Sequence, residues 1–281
     1  MKLILIGILA VLLSTLTLDG QVEYLRLSPS QKIIQRVGMT NVEIEFSRPQ
    51  MKGRQVFGQL VPYNQMWRTG ANENTKISFD HRVRIGDIDV AKGTYNLLTL
   101  PKMTSWDIYL YTTTDHLDVP DPIDSTKLIY LTTVPSYQLE DPQETLVINI
   151  YDITETSANL GISWEHTDVK IPISFYTNEA MEKMIEREFK QNIFDYSIAA
   201  SYYSQRNMNL EKAKMLMKLS IDLRDVPSAW AHHEYAIILK KLGELKEAKE
   251  NLEYSLQLAK KTGNTNLTEE NQKLLNELEQ H

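Results

Sequence analysis

"ANLGISWEHTDVKIPISFYTNEA" (residues 158–180) contains two kinds of periodicity and the change from one to the other. Ala158, Leu160, Ile162 and Trp164 recur at every second position, and Val169, Ile171, Ile173 and Phe175 repeat the pattern. Successive side chains of a strand point to opposite faces, so alternation of this kind marks half-buried antiparallel β-structure. Pro172 removes a ladder donor from the second run, which predicts an edge strand. At Thr177 the alternation stops. Asn178 is a candidate helix N-cap, and Glu179 would sit in the first turn, where a carboxylate meets the positive end of the helix dipole.

Towards the N-terminus the same period of two continues. Val42, Ile44 and Phe46 alternate with polar neighbours, as do Thr75, Ile77 and Phe79, then Trp106, Ile108 and Leu110, then Leu146, Ile148 and Ile150. Turn chemistry separates the runs at Gly86-Asp87, Lys92-Gly93, Pro101 and Asp141-Pro142. Many short strands without helical segments between them indicate a sandwich or barrel. Trp67, Trp106 and Trp164 are expected to be largely buried there, since aromatic rings contribute the largest apolar area per residue.

Beyond Thr177 the chain is rich in Ala, Leu, Met, Glu and Lys, which favour helix. "NLEKAKMLMKLSIDL" aligns with "ELKEAKENLEYSLQL", Ala213 matching Ala248 at about the thirty-four-residue tetratricopeptide period. Ala236, Gly243, Ala248 and Ser255 take the small-residue positions where paired helices touch. An ordinary helical bundle is the alternative, because Ala/Leu periodicity is common to all amphipathic helices. The expected organisation is β + α in two domains. An antiparallel β-sandwich covers 21–176, and a tetratricopeptide-like domain of helical hairpins covers 177–281.

The first twenty residues read differently. One Lys precedes an apolar run from Leu3 to Leu13, followed by small and polar residues, with Gly20 before Gln21. That is the layout of a signal peptide cut after Gly20, leaving a periplasmic or secreted protein with no membrane span. A buried N-terminal strand or helix is the alternative. There is no cysteine in the 281 residues, which excludes disulfides, thiolate metal sites and cysteine nucleophiles. A formal net charge of -7 and the lack of a Lys/Arg block argue against a nucleic-acid partner.

Enzyme signatures are missing: no G-x-S-x-G, H-E-x-x-H, P-loop or G-x-G-x-x-G occurs. His232 and His233 fall on a predicted helix, where adjacent side chains diverge, so they read as surface or packing residues. Asp115, Asp118, Asp121 and Asp124 form an acidic loop without the ligand spacing or central Gly of a calcium loop. No metal and no cofactor is expected. The dense stretch is "VPYNQMWRTGANENTKI" (residues 61–77). Arg48, Arg54, Trp67, Arg68, Asn72 and Glu73 are the candidate ligand-binding residues. A tryptophan stacks on a ring, while Arg and Asn hydrogen-bond acids and hydroxyls. The competing reading is a structural corner, with Arg68 or Arg54 paired to Glu73 and with Gly70 and Asn72 setting the turn.

These residues also carry a likeness. Ser47-Arg48-Pro49, Lys52-Gly53-Arg54, Phe57 to Pro62, Trp67 to Thr75, and Gly93-Thr94-Tyr95 with Pro101 and Trp106 resemble the bacterial family called domain of unknown function 2911, over roughly 28–173. The resemblance implies an exported protein, often with a tetratricopeptide-like tail, and no established activity. One departure is that "TTTDHLDVPDP" stands where members usually show a W-G pair. The functional expectation is therefore a non-catalytic binding module. Its ligand would be a cell-envelope glycan or peptide, and its helices would dock a protein partner. The alternative is a periplasmic hydrolase using Glu73 and Arg68, with Asp80 and His81 as candidates for the second group that acid–base work requires.

Overall fold

The computed structural model describes residues 26–112, 118–191 and 196–279. The signal-peptide reading of 1–20 and the acidic Asp115 lie outside them. The chain divides into two compact units after Ala180.

Among the described residues, the strands of the first unit all pair antiparallel. Its strands are β1 (Ser30–Val37), β2 (Thr40–Ser47), β3 (Lys76–Phe79), β4 (Val83–Ile85), β5 (Ile88–Val90), β6 (Gly93–Pro101), β7 (Ser105–Tyr111), β8 (Leu128–Tyr151) and β9 (Ser157–Phe175). They form a nine-stranded hydrogen-bonded series in the order β1-β2-β3-β6-β7-β8-β9-β4-β5. β8 is the joint of that series. Its first half pairs with β7 as far as Pro135, and its second half, from Ser136, pairs with β9. Inward residues from both halves, including Ile44, Ile77, Ile108, Ile148, Leu160 and Ile171, belong to one apolar core.

Several expectations need correction here. The runs ending at Trp164 and Phe175 are not two strands but one, β9. Trp164 and Val169 lie an odd number of residues apart, yet both are buried. A slip of one residue is therefore required between them, and Glu165, with φ 54, stands in the left-handed region at that point. Asp141-Pro142 does not end a strand either. It lies within β8, between Gln138 and Gln143, where the register with β9 shifts. Pro142 has no N–H for the ladder, and the strand absorbs it as an irregularity. Pro172 does not mark an edge strand: β9 has β8 on one side and β4 on the other. It falls between the two paired stretches, which end at Val169 and resume at Ile173.

Gly161 has a separate role. A Cβ there would lie 1.2 Å from the Tyr151 hydroxyl oxygen, so the ring rests directly on the glycine backbone across the β8–β9 pair. Burial, then the nearby Asp168 carboxylate, push the Tyr151 hydroxyl up to about 12.

After β9 come six helices among the described residues. They are α1 (Thr177–Gln191), α2 (Tyr196–Gln205), α3 (Leu210–Asp222), α4 (Ala229–Leu242), α5 (Leu245–Thr262) and α6 (Thr265–Leu278). α1 starts at Thr177, so Asn178 lies inside its first turn rather than at the cap. Ser228 caps α4 by accepting from the Ala231 N–H, and Asn264 caps α6 by accepting from the Leu267 N–H. Ala213, Ala236, Ala248 and Ser255 are buried where helices meet. Gly243 differs from the expectation: it is exposed and ends α4 at φ 80, the left-handed C-terminal position that favours glycine.

The two histidines diverge as the helix requires. His232 Nδ1 lies 2.9 Å from Asn251 Oδ1, and His233, buried, lies 3.0 Å from Asn271 Oδ1. Asn271 Nδ2 donates to Ser255 Oγ at 2.9 Å, and Ser255 donates to the Ala229 carbonyl at 2.7 Å. This buried chain ties α4, α5 and α6 together with its polar atoms satisfied.

Trp106→Ala and Trp164→Ala should each lower stability by about 3–5 kcal/mol, read as a lower urea midpoint. Asn271→Leu should cost about 1–3 kcal/mol, because it leaves the buried His233 ring nitrogen without its partner and removes the donor to Ser255 Oγ.

Candidate functional site

The corner 67–75 is built on a cluster of rings. Trp67 bridges to β6: its N–H donates to the Thr99 carbonyl at 2.7 Å, and the Thr99 N–H donates back at 3.0 Å. This directs its indole onto Phe57 (centroids 6.0 Å apart), Trp106 (5.9 Å) and Trp164 (6.0 Å, nearly parallel at 20°). Phe57 also meets Trp106 edge-on at 5.0 Å. Trp106 and Trp164 are fully buried as expected, whereas Trp67 is only partly buried. Its open edge forms the wall of a cleft.

The turn that follows is held residue by residue. Thr69, fully buried with φ 59, shares a hydroxyl–hydroxyl hydrogen bond of 3.0 Å with Thr99. Thr75 Oγ1 donates to the Thr69 carbonyl at 2.7 Å. Gly70 is needed for space rather than for a left-handed backbone: a Cβ would lie 2.9 Å from Thr75 Oγ1 and 3.3 Å from the Ser47 carbonyl. The left-handed residues are Thr69 and Asn72, at φ 59 and 60. Asn72 Nδ2 donates to the Ser28 carbonyl at 3.0 Å and to Ser47 Oγ at 3.1 Å, pinning the N-terminal segment against the corner.

The expected Arg68–Glu73 or Arg54–Glu73 pair does not form. Glu73 accepts both of its short hydrogen bonds, 2.6 and 2.7 Å, from Arg26. Arg68 Nη1 instead pairs with Asp118 Oδ2 at 2.5 Å. Arg54 donates to the carbonyls of Met51 (2.9 Å) and Gln50 (2.7 Å), and Arg48 donates to the Leu146 carbonyl at 2.9 Å. Arg54 thus stays within its own turn, whereas the partners of Glu73, Arg68 and Arg48 lie far away in the chain and could not be chosen from local spacing.

A cleft of about 360 Å³ lies beside this corner, lined in part by Arg54, Trp67, Arg68, Asp118, Val119 and Trp164. Three of the six candidate residues therefore come together. Arg48, Asn72 and Glu73 are absent from the lining and act as supports. Asp118 and Trp164 were missed as site residues. Asp118 read as one member of a solvated acidic loop, and Trp164 read only as an inward position of a strand.

The charge balance favours an anion. Two guanidinium groups face one carboxylate. The Arg68 Nε is buried without a hydrogen-bond partner, although its terminal nitrogen is paired. A buried donor left unmade costs about 1–3 kcal/mol, which a shift of the side chain toward an accepting group in the cleft would recover. Glu73 is held below its ordinary value of 4.5, first by the Arg26 hydrogen bonds and then by its own backbone N–H. It is therefore ionised at neutral pH and a poor proton donor. Asp80 and His81 sit together (2.9 Å), with Asp80 also held by Asn41, and neither lines the cleft. Among the described residues no group of three or more His, Asp or Glu side chains is arranged to hold a metal ion.

Fold and site together define an antiparallel β protein with a tryptophan-walled, cationic cleft at one corner, followed by helices. Residues 28–173, just over half of the chain, match the family described as Protein of unknown function (DUF2911), and the chain belongs to that family. No curated protein and no solved structure matches it. The family segments identified in the sequence meet here: Pro49, Arg54, Val61 and Trp67 to Ala71 all contribute to the cleft or its corner.

The corner's structural and charged parts should separate on mutation. Gly70→Ala should lower the melting temperature, because Thr75 Oγ1 and the Ser47 backbone leave no room. Glu73→Gln should cost at most about 1 kcal/mol, since its ion pair with Arg26 is solvent-exposed. A carboxylate depressed in the folded state stabilises above its unfolded pKa and loses that contribution as pH falls. The small Glu73 contribution should thus be present above pH 4.5 and fade below it, giving wild type and Glu73→Gln the same stability in acid.

Proposed function

We propose that this chain is an exported, non-catalytic binding protein. Its β unit, a sandwich, takes the acidic end of a cell-envelope glycan or peptide into the Arg68 cleft. Its second domain, a set of tetratricopeptide-like hairpins, docks a protein partner. The observation that carries this reading is the buried, unpartnered Nε of Arg68 at the wall of a cleft shared with Trp67 and Trp164. An arginine fork recognises carboxylate, and an indole offers a face to a sugar or peptide group. A volume of about 360 Å³ suits one sugar ring or a dipeptide-sized end.

Export to the periplasm or beyond the cell is supported by the charged start and the short apolar run before Gly20. Among the described residues no helix is long and apolar enough to cross a membrane. The repeat reading rests on Ala213 and Ala248, equivalent in the aligned segments and both buried. The hydrolase alternative is weakened because Glu73 is tied to Arg26, stays ionised and lies outside the cleft lining.

Tryptophan emission is a direct readout, because two indoles line the cleft. Titration with N-acetylmuramoyl dipeptide, which carries both a sugar ring and carboxylates, should change emission saturably. Arg68→Gln should weaken that binding by about tenfold or more, the loss of a charge-assisted contact, with the melting temperature little changed. An emission that stays flat, or an Arg68→Gln titration that overlays wild type, would refute the assignment of this cleft.

A further inference from the structure

A second concavity, of about 420 Å³, opens elsewhere on the β unit and shares no lining residue with the Arg68 cleft. Its walls include Arg84, Thr132, Pro135, Tyr137, Lys170 and Pro172. The chain makes this notch by parting two strands. β8 and β9 stay paired as far as Ser136↔Val169, and β9 meets β4 only from Ile173. Residues 170–172 fall between those registers. Pro135 and Pro172, facing the gap, have no N–H with which to continue a ladder.

The β4–β5 turn closes the notch on its third side. Gly86 there has φ 58, and a Cβ would lie 2.8 Å from the Leu131 carbonyl and 2.9 Å from Thr132 Cβ. The turn is seated on β8 at backbone contact, so the notch is preformed between strands rather than made by loops.

Its charge is one-sided. Arg84 and Lys170 line it, and no carboxylate does. Arg84 pairs with Asp87 at 3.5 Å, on a fully exposed side chain, and Asp89 stands opposite it in the β4–β5 register, outside the lining. Lys170 makes no ion pair among the described residues; its Nζ stands 5.7 Å from the Tyr151 ring centroid. Asp168, the next residue on that face of β9, accepts from Ser163 Oγ at 2.5 Å and lies outside the lining. The Thr133 hydroxyl donates to Asp107, and the Thr132 hydroxyl donates to the Thr133 carbonyl at 3.4 Å; Ser174 also lines the notch. Tyr137, half exposed, offers a ring. In a chain of net charge -7, two cations beside an open aromatic ring and hydroxyls make a local site for a negative group.

We infer that this notch is a second binding site, for an oxyanion carried on a sugar-sized ring: a sugar acid or a sugar phosphate. Arg84 and Lys170 hold the oxyanion, Tyr137 covers the ring, and the threonine and serine hydroxyls meet its hydroxyls.

Calorimetric titration of the purified protein with glucuronate, glucose 6-phosphate and glucose tests this. At least one acidic sugar should bind with a Kd below about 1 mM, while glucose binds at least about tenfold more weakly. Which acid binds distinguishes carboxylate from phosphate as the recognised group. The Arg84→Gln/Lys170→Gln variant should lose about tenfold or more, as should Lys170→Glu alone, with melting temperatures close to wild type because these are surface positions. Arg68→Gln should leave the affinity unchanged. The inference fails if neither acid binds, if glucose binds equally well, or if the notch variants bind as wild type. It fails equally if the signal disappears in Arg68→Gln instead, which would assign the binding to the other cleft.

Discussion

Phe57, Trp67, Trp106 and Trp164 come from four separate segments and meet with ring centroids between 5.0 and 6.2 Å for the contacting pairs. Edge-to-face and offset stacked contacts of this kind add about 0.5–1.5 kcal/mol per pair beyond area burial. More importantly, they lock β7, β9 and the two turns before β3 into one rigid body. Removing any ring would loosen the wall of the Arg68 cleft together with the core. Stability and candidate function thus share the same atoms at this point of the fold.

That sharing explains why the 67–75 corner resists a single description. Thr69 and Gly70 are structural, one buried in a left-handed conformation and the other admitted only because it lacks a side chain. Asn72 anchors the Ser28 segment, and Glu73 makes an exposed pair that any polar residue could replace at small cost. Arg68 alone carries an unmet buried donor. A motif written as consecutive letters therefore divides, in space, into a frame and a Trp67–Arg68 pair that lines a cleft.

The long β8–β9 ribbon shows a second constraint. β8 carries 24 residues and β9 carries 19, and the excess is absorbed by register shifts around Pro142 and Glu165. These shifts let each half of the ribbon keep its apolar residues inward while the strand passes from one set of neighbours to another. The parting of the strands at Pro135 and Pro172 belongs to the same accommodation and leaves the notch that Arg84 and Lys170 line. Pro142, whose chemistry reads as a turn, and Pro172, whose chemistry reads as an edge marker, are here interruptions within continuous strands. Pairing that resumes on either side of each proline along the strand holds the extended backbone in place where an unpaired segment would have turned.

The sequence by itself determined what local periodicity and composition encode. The inward positions Val42, Ile44, Trp106, Ile108, Leu160 and Ile162, the change to helix at Thr177, the family and the location of the dense corner were all legible in it. Period-two alternation and helix propensity are set by each residue's own geometry, so they survive without tertiary context. Tertiary structure alone decided which charges pair, because Arg26 with Glu73 and Arg68 with Asp118 depend on segments far apart in the chain. It also decided that β9 is one strand and that Trp164 and Asp118 complete the cleft. Such choices follow from the register and closure of a nine-stranded sheet, a property of all its strands at once and of no segment alone.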